Sequence, residues 1–379
     1  MRDEFDVVVV GAGVFGLASA VELAARGRSV AVVDRFGSGH PLTSSTGRSR
    51  GIRIAYDHPF YVRLAQDAIR RWRAMEQASG RTILHLTGQV DFGQPDKLAG
   101  ILEAVRSCGG RIDELDGDGL RRRLPYFRTR EGETGLFHAD AGTVLSDEAM
   151  AALKDAALAA GVMLFERERV MAIEAGPQPM VITDKRRLAA ESVVVAAGPW
   201  SGELLASVGI DAPLAPAIAQ VTFIDAPALV DWPGIGEWGG DSDGLGGVYG
   251  HPVPGIGYKL AFSSGQDGWS ADESAWQPDL SEQARLFEWL DRRMPDFPRT
   301  VKLSQRHPWT MTPDGDFIVD RVGPIVLACG CSGHAFKFGP ALGPLVADIV
   351  EGHAPQPLLA FDRKTLRAQQ ASASATITR

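Results

Sequence analysis

Apolar and polar positions along the chain set out a repeated plan. Short, almost uninterrupted apolar runs end at glycine. "FDVVVV" runs into "GAGVFG", "ESVVVAAGPWS" carries a second such run, and "GPIVLACG" a third. Runs of this length read as strands covered on both faces, as in a parallel sheet. Helical spacing follows the first glycine turn in "LASAVELAAR" and stops at Gly27, a C-cap position. "SVAVVD" is then the next strand, ending at Asp34, so the first thirty-five residues read as a βαβ unit. "VMLFERERVMAIEAGPQPMVIT" and "FIVDRVGPIVLACG" are further sheet-like regions, and "PALGPLVADIVEG" reads as a helix. Between these lie "GQVDFG" to "GLFHAD" and "APAIAQVTFIDAP" to about Trp309, where Trp, Pro and Gly break the regular pattern. The expected fold is α/β. One Rossmann-like nucleotide domain is assembled from discontinuous segments, 1–86, 141–214 and 312–379. A second domain, 87–140 and 215–311, is built on a mixed or antiparallel sheet. No repeat of 20–50 residues is visible.

Composition narrows the class. The 379 residues suffice for about two domains. A formal net charge of −8 argues against a nucleic-acid or anionic-membrane binder. Three cysteines, Cys108, Cys329 and Cys331, make no disulfide framework and suit a reducing, cytoplasmic setting. "MRDEFD" is not the basic region of a signal peptide, and the apolar stretch after it is broken by glycines and charges. The tail "QQASASATITR" is expected to fray.

The glycine turn carries the first chemistry. Gly11, Gly13 and Gly16 form GxGxxG between a strand and a helix. The first permits a tight turn, the second lets backbone approach a pyrophosphate, and the third allows close helix–strand packing. The helix N-terminus offers N–H groups and partial positive charge to phosphate. Asp34 is placed to accept from ribose hydroxyls. The motif by itself does not choose FAD over NAD. Near the other end, "CSGHAFKFGPALG" is nearly all small and apolar, yet it carries His334 and Lys337. Burying a lysine without a partner is costly, so the stretch raises the question of what Lys337 faces. "TGRSRGIRIAYDHPFYVRLA" is basic, and Arg50 and Arg53, three apart, are expected to share a helical face.

Taken together, "DVVVVGAGVFGLASAVELAARG", "GRSRGIRIAY", "GYKLAF", "VVVAAGPWS", "MTPDGDFIVD" and "CSGHAFKFGPALG" resemble the monomeric sarcosine oxidase and N-methyltryptophan oxidase family, within the D-amino-acid oxidase superfamily. The resemblance covers nearly the whole chain. It implies an FAD enzyme that oxidises amines of amino acids, mostly secondary ones, by hydride transfer to flavin. Oxygen becomes hydrogen peroxide and the imine hydrolyses. It implies cofactor contacts at Gly11, Gly13, Val14, Phe15, Gly16, Asp34 and Arg35, then at Ser45, Ser49 and Arg50. Further contacts fall at Val170, Ala197, Gly198 and Trp200, and at His307, Gly333, His334, Phe336 and Lys337. Arg53 and Lys337 match the pair that clamps the substrate carboxylate, which would answer the question about Lys337. Lys259 matches a lysine that activates oxygen by supplying a fixed positive charge. Tyr249 and Arg50 match active-site positions, and His334 is expected to contact flavin or substrate.

Two departures matter. Where some relatives carry a histidine four residues after the oxygen lysine, this chain has Ser263. Many members attach FAD through a cysteine just upstream of "TPD", where this chain has His307, so FAD is expected to be held without a covalent link. No histidine pair has zinc spacing, and no Gly-x-Ser-x-Gly elbow points to a hydrolase. The expected partners are an amino-acid-like substrate with a carboxylate and molecular oxygen, acting on a monomer without nucleic acid, membrane or metal. A dehydrogenase with another acceptor, a primary-amine (D-amino acid or glycine) oxidase and a non-catalytic flavoprotein stay open. An NAD-dependent dehydrogenase is a further alternative.

Overall fold

The computed structural model describes residues 3–239, 247–263, 265–267 and 276–363. The polar tail lies outside them, as do residues 364–368 before it. The chain forms two compact units. The first is Met1–Ser45, Leu153–Pro216 and Trp309–Arg379, and the second is Thr46–Ala152 and Ala217–Pro308.

In the first unit, an eight-stranded sheet is built around Glu4–Val10. That strand pairs in parallel with Val30–Asp34 on one side and Arg187–Val195 on the other. Ile325–Cys329 adds to Arg187–Val195, also in parallel. These apolar runs are therefore central strands, and Val8, Val10, Val33, Val193, Val195 and Leu327 are all buried. The helix Val14–Ala25 ends one residue before Arg26, and Gly27 takes the left-handed turn expected of it, with φ +83°. A second helix, Gly339–Val350, has Pro340 at its first turn. It runs close to the first helix because Gly343 has no side chain. A Cβ there would lie 2.5 Å from Ala18 O.

The second unit holds a nine-stranded sheet, whose eight-strand main path is antiparallel except for Gly234–Trp238 against Gln89–Gly93, with Val301–Met311 added beside Ala215–Ile224. The mixed sheet expected for this part of the chain is what forms. Arg50–Ile52, Gly142–Val144 and Leu84–His85 make a separate three-stranded sheet. Thr143 Oγ1 ties it to the hairpin strand Val248–Val253 by donating to Pro252 O at 2.6 Å. Residues 46–86 and 141–152, grouped with the nucleotide segments in the sequence, pack here for that reason.

The basic stretch is not helical. Arg50 opens a strand, so Arg50 and Arg53 do not share a helix face. Gly47, at φ +104°, turns the chain into that strand, and pairing with Gly142–Val144 outweighs the i, i+3 pattern. The helix that follows is Pro59–Ser79, capped by His58 and ended by Gly80 at φ +70°. No helix among the described residues is long and apolar enough to cross a membrane.

The approach of the two helices of the first unit gives a test. Gly343→Ala should destabilise by about 1–3 kcal/mol through overpacking against Ala18. Thermal unfolding followed by circular dichroism should show a lower midpoint. An unchanged midpoint would mean that the helices separate at no cost.

Candidate active site

At the glycine turn, two of the three glycines are fixed by packing. Gly11 has φ +109°, and a Cβ there would sit 2.4 Å from Ala196 O. A Cβ on Gly16 would sit 1.8 Å from Gly11 O. At Gly13, by contrast, a Cβ would meet only Ser45 Oγ, at 3.1 Å. That leaves the approach to the helix N-terminus open on the side where a phosphate would come. The helix has no side-chain cap at Gly13. Val14 N donates to Ser45 Oγ at 3.0 Å, and the next amides, of Phe15 and Gly16, have no partner of their own within the helix. These features fit a pyrophosphate. Asp34 is more heavily used than the sequence implied. It accepts from Ala12 N (2.7 Å), Phe36 N (2.8 Å) and Gly37 N (2.6 Å), and so holds the turn itself. A carboxylate has about four lone-pair sites, so one remains for a ribose hydroxyl.

Around this turn, Arg35 stacks over Phe36 (4.9 Å) and Trp200 (5.9 Å). Ala197 and Gly198, at φ +55°, leave the strand end beside Gly11. Val170 lies farther off, opening the strand Val170–Glu174, with two strands between it and Glu4–Val10. Gly333, at φ +72°, is open to no other residue, because a Cβ there would strike the Trp309 ring at 2.7 Å. The Trp309 indole N–H and Thr310 Oγ1 are buried without a hydrogen-bond partner. Such orphans are rare in native proteins, and a bound group with polar edges would satisfy them.

Lys337 sits in the turn Phe336–Phe338, and all three residues are buried. Its Nζ donates to His334 O at 2.6 Å and lies 5.2 Å from the Phe338 ring centre. The His334 ring lies among aromatic neighbours, Phe317 at 4.6 Å and Phe338 at 6.0 Å, and its Nε2 is 3.1 Å from Gly315 O. Its backbone carbonyl is what accepts from Lys337 Nζ.

The second unit gathers a different cluster. Ser49 O accepts from Arg50 Nη1 at 2.8 Å and from Lys259 Nζ at 3.0 Å. Arg50 Nη2 also donates to Thr46 O at 2.6 Å. Lys259 stands in the strand Gly257–Phe262 and is 2 % exposed. Tyr249 is close, with its ring centre 5.9 Å from Lys259 Nζ. Burial, and then the Arg50 charge, hold the Lys259 ammonium well below the ordinary lysine range. His307 lies against Gly47, where a Cβ would be 3.0 Å from its ring. Burial, then Arg50 and Lys259, push its imidazole well below the usual value. Both of its ring nitrogens are buried without a partner, which fits a polar edge of a cofactor. Burial likewise raises Tyr249. Among the described residues, neither Lys259 nor His307 has a carboxylate partner. The cluster brings the buried Lys259 and the Arg50 guanidinium onto one backbone oxygen.

Sequence reasoning missed His251. It is 1 % exposed, its Nε2 is 3.1 Å from Ser49 Oγ, and it stands directly opposite Lys259 across the hairpin. The signal was present: in "HPVPGIGYK", His251 and Lys259 are equally far from Gly255, so a hairpin centred there pairs them. Ser263 follows that strand, is exposed, and donates to Gly247 O at 2.8 Å. Arg53 Nε donates to Ala55 O at 3.2 Å, and its guanidinium lies over the rings of Tyr56 (5.2 Å) and Trp238 (5.3 Å). Among the described residues its Nη atoms have no hydrogen-bond partner, so the bidentate edge of the fork is unspent.

A family described as FAD dependent oxidoreductase matches residues 6–349. The chain is similar to a monomeric sarcosine oxidase of Streptomyces avermitilis, at 30% identity over 98% of this chain and 100% of that one. It is also similar to the human peroxisomal sarcosine oxidase, at 28% identity over 92% of each. Among solved structures, a variant of NikD, an unusual amino acid oxidase, superposes with a TM-score of 0.83 at 24% identity, covering 95% of this chain and 97% of that one.

The depressed Lys259 makes a prediction about stability. Its folded value lies below the unfolded 10.5, so the cost appears as pH falls below 10.5 and grows until the folded value is reached. In the apoprotein, Lys259→Met should therefore raise the unfolding midpoint at neutral pH, and the gain should vanish as pH approaches 10.5. A gain that is constant across this range would contradict the burial argument.

Proposed function

We propose that this chain, which belongs to the FAD-dependent oxidoreductase family, is an amino-acid amine oxidase whose substrate is a secondary amine bearing a carboxylate. It is an FAD enzyme of the sarcosine-oxidase-like group, acting on C–N bonds. The observation that carries the substrate reading is Arg53, a guanidinium held by two aromatic rings with the edge of its fork unbonded among the described residues. Such a fork matches a carboxylate in shape and charge. The secondary amine is supported by the names of the two sarcosine oxidases to which the chain is similar.

The chemistry FAD would supply, when bound, is two-electron oxidation of the C–H beside the nitrogen, with oxygen as the acceptor; hydrogen peroxide and an imine open to hydrolysis would be the products. The protein's own groups orient and charge the site. Gly11, Gly13, Val14, Phe15 and Gly16, with Ser45 and Asp34, would hold the dinucleotide. Arg35, Ala197, Gly198 and Trp200 would flank it, with Val170 farther along. Arg53 binds the substrate carboxylate, and Lys337 supplies the second positive group, fixed by His334 O. The His334 ring, packed beside Phe317 and Phe338, would contact flavin or substrate. Ser49, Arg50 and Tyr249 line the site. Lys259 supplies positive charge where oxygen is reduced; its depressed affinity for protons recovers when negative charge arrives beside it. His307 would bond the cofactor through a ring nitrogen without a covalent link, and Gly333 and Phe336 would be further cofactor contacts. The enzyme acts as a cytoplasmic monomer, without nucleic acid or membrane.

Three experiments follow. A peroxide assay across secondary and primary amino acids should find one peroxide per amine oxidised; turnover with an artificial acceptor but no peroxide would make the chain a dehydrogenase. Arg53→Ala should weaken substrate binding by roughly 2–5 kcal/mol, and an amide of the substrate should be poor. An amide used as well as the acid would remove the carboxylate clamp. Acid precipitation should release all the yellow colour into the supernatant, and colour kept in the washed pellet would show a covalent link.

A further inference from the structure

A buried carboxylate in the second unit has no place in the reading above. Asp91 lies in the strand Gln89–Gly93 and is wholly buried. It is not left unpaired. Oδ1 accepts from Trp238 Nε1 at 2.7 Å and from Gln89 Nε2 at 2.9 Å, and Oδ2 lies 2.9 Å from His138 Nε2. The register explains how these groups meet. Asp91 stands opposite Gly236 in the parallel pair with Gly234–Trp238, and Trp238 is two residues further on the same face. A Cβ on Gly236 would lie 2.5 Å from Asp91 Oδ1, so only glycine leaves room for the carboxylate to reach the indole. His138 arrives from the next strand, opposite Gln89.

Burying an ionised carboxylate is expensive, and an amide oxygen in its place could accept from only two of these three donors. What the charge adds lies on the far side of the indole. Trp238 puts its ring 5.3 Å from the Arg53 guanidinium. An N–H donated to an anion is a strong, polarising hydrogen bond, and it enriches the ring that faces the cation. An electron-richer indole holds a guanidinium more firmly. We propose that Asp91 is a positioning residue for Arg53, acting through the indole of Trp238. The chain runs from carboxylate to indole to guanidinium to substrate carboxylate. It rests on the reading of Arg53 as the carboxylate-binding group.

A direct effect of the Asp91 charge has the opposite sign. A carboxylate behind the guanidinium repels a second carboxylate in front of it, so removing Asp91 would then tighten binding. The two accounts are separated by measuring affinity for carboxylates that carry no amine to oxidise, acetate and phenylacetate. Binding to the holoenzyme is followed by calorimetry and by the change in the cofactor spectrum, with thermal midpoints measured alongside. Arg53→Met should lose affinity by at least ~30-fold. Asp91→Asn and Trp238→Phe should each weaken it by roughly 3- to 30-fold, the range expected of a cation–π contact. The double variant should be no worse than the poorer single by more than about 2-fold, because both changes cut one chain. Wild-type affinity in Arg53→Met would remove the Arg53 reading and this inference with it. If Arg53→Met loses affinity, three results overturn the inference alone. They are an Asp91→Asn variant that binds as well as or more tightly than wild type, additive single effects, and lower midpoints with unchanged affinity. Should Asp91→Asn fail to fold, Trp238→Phe carries the test, and wild-type affinity in that variant overturns the inference.

Discussion

The chemistry of the second unit depends on one backbone oxygen. Ser49 O receives the Arg50 guanidinium and the Lys259 ammonium together, and the Ser49 hydroxyl meets His251. A lysine taken out of water needs an acceptor and, by preference, an opposite charge. Here it has the acceptor only. The consequence is a lysine held well below the ordinary proton affinity by burial and by Arg50, with Asp147 in electrostatic reach of Arg50 itself. Such an arrangement costs stability, and on the proposed function it is complementary to negative charge that forms only during turnover.

Arg53 shows the other way to handle a cation. Its guanidinium is set between two rings, and through one of them it is linked to a carboxylate that accepts from three side chains. The same unit thus carries a poised cation and a braced one. The braced one suits a substrate group that is charged from the start and must be placed. The poised one suits charge that appears later. Both depend on glycine. Gly47 makes the turn beside His307 and Arg50, and Gly236 makes the room for Asp91.

The sequence was most legible where one principle acted alone. Apolar runs closed by glycine became the central strands, and the spacing of Gly11, Gly13 and Gly16 became a tight turn with one open side. It was least legible where partners came from far along the chain. Arg50 and Arg53 looked helical, but Gly142–Val144, some ninety positions on, drew Arg50 into a strand. Asp34 was read for a ribose, and its local backbone claims most of it. His251 could have been found by folding the hairpin about Gly255. Asp91, His138 and Trp238 could not, since only the sheet order brings Thr134–His138 and Gly234–Trp238 to either side of Gln89–Gly93.

The central claim is that Lys259 provides charge for the oxygen half of the reaction and not for the amine half. Stopped-flow absorbance separates the two: reduction of the enzyme by substrate without oxygen, then mixing of the reduced enzyme with oxygenated buffer. Lys259→Met keeps the length and apolar stem and deletes the charge. Reoxidation should slow by about 100- to 1000-fold, the usual worth of one preorganised electrostatic group, while reduction stays near the wild-type rate. Reoxidation at the wild-type rate, or an equal loss in both halves, would contradict the account.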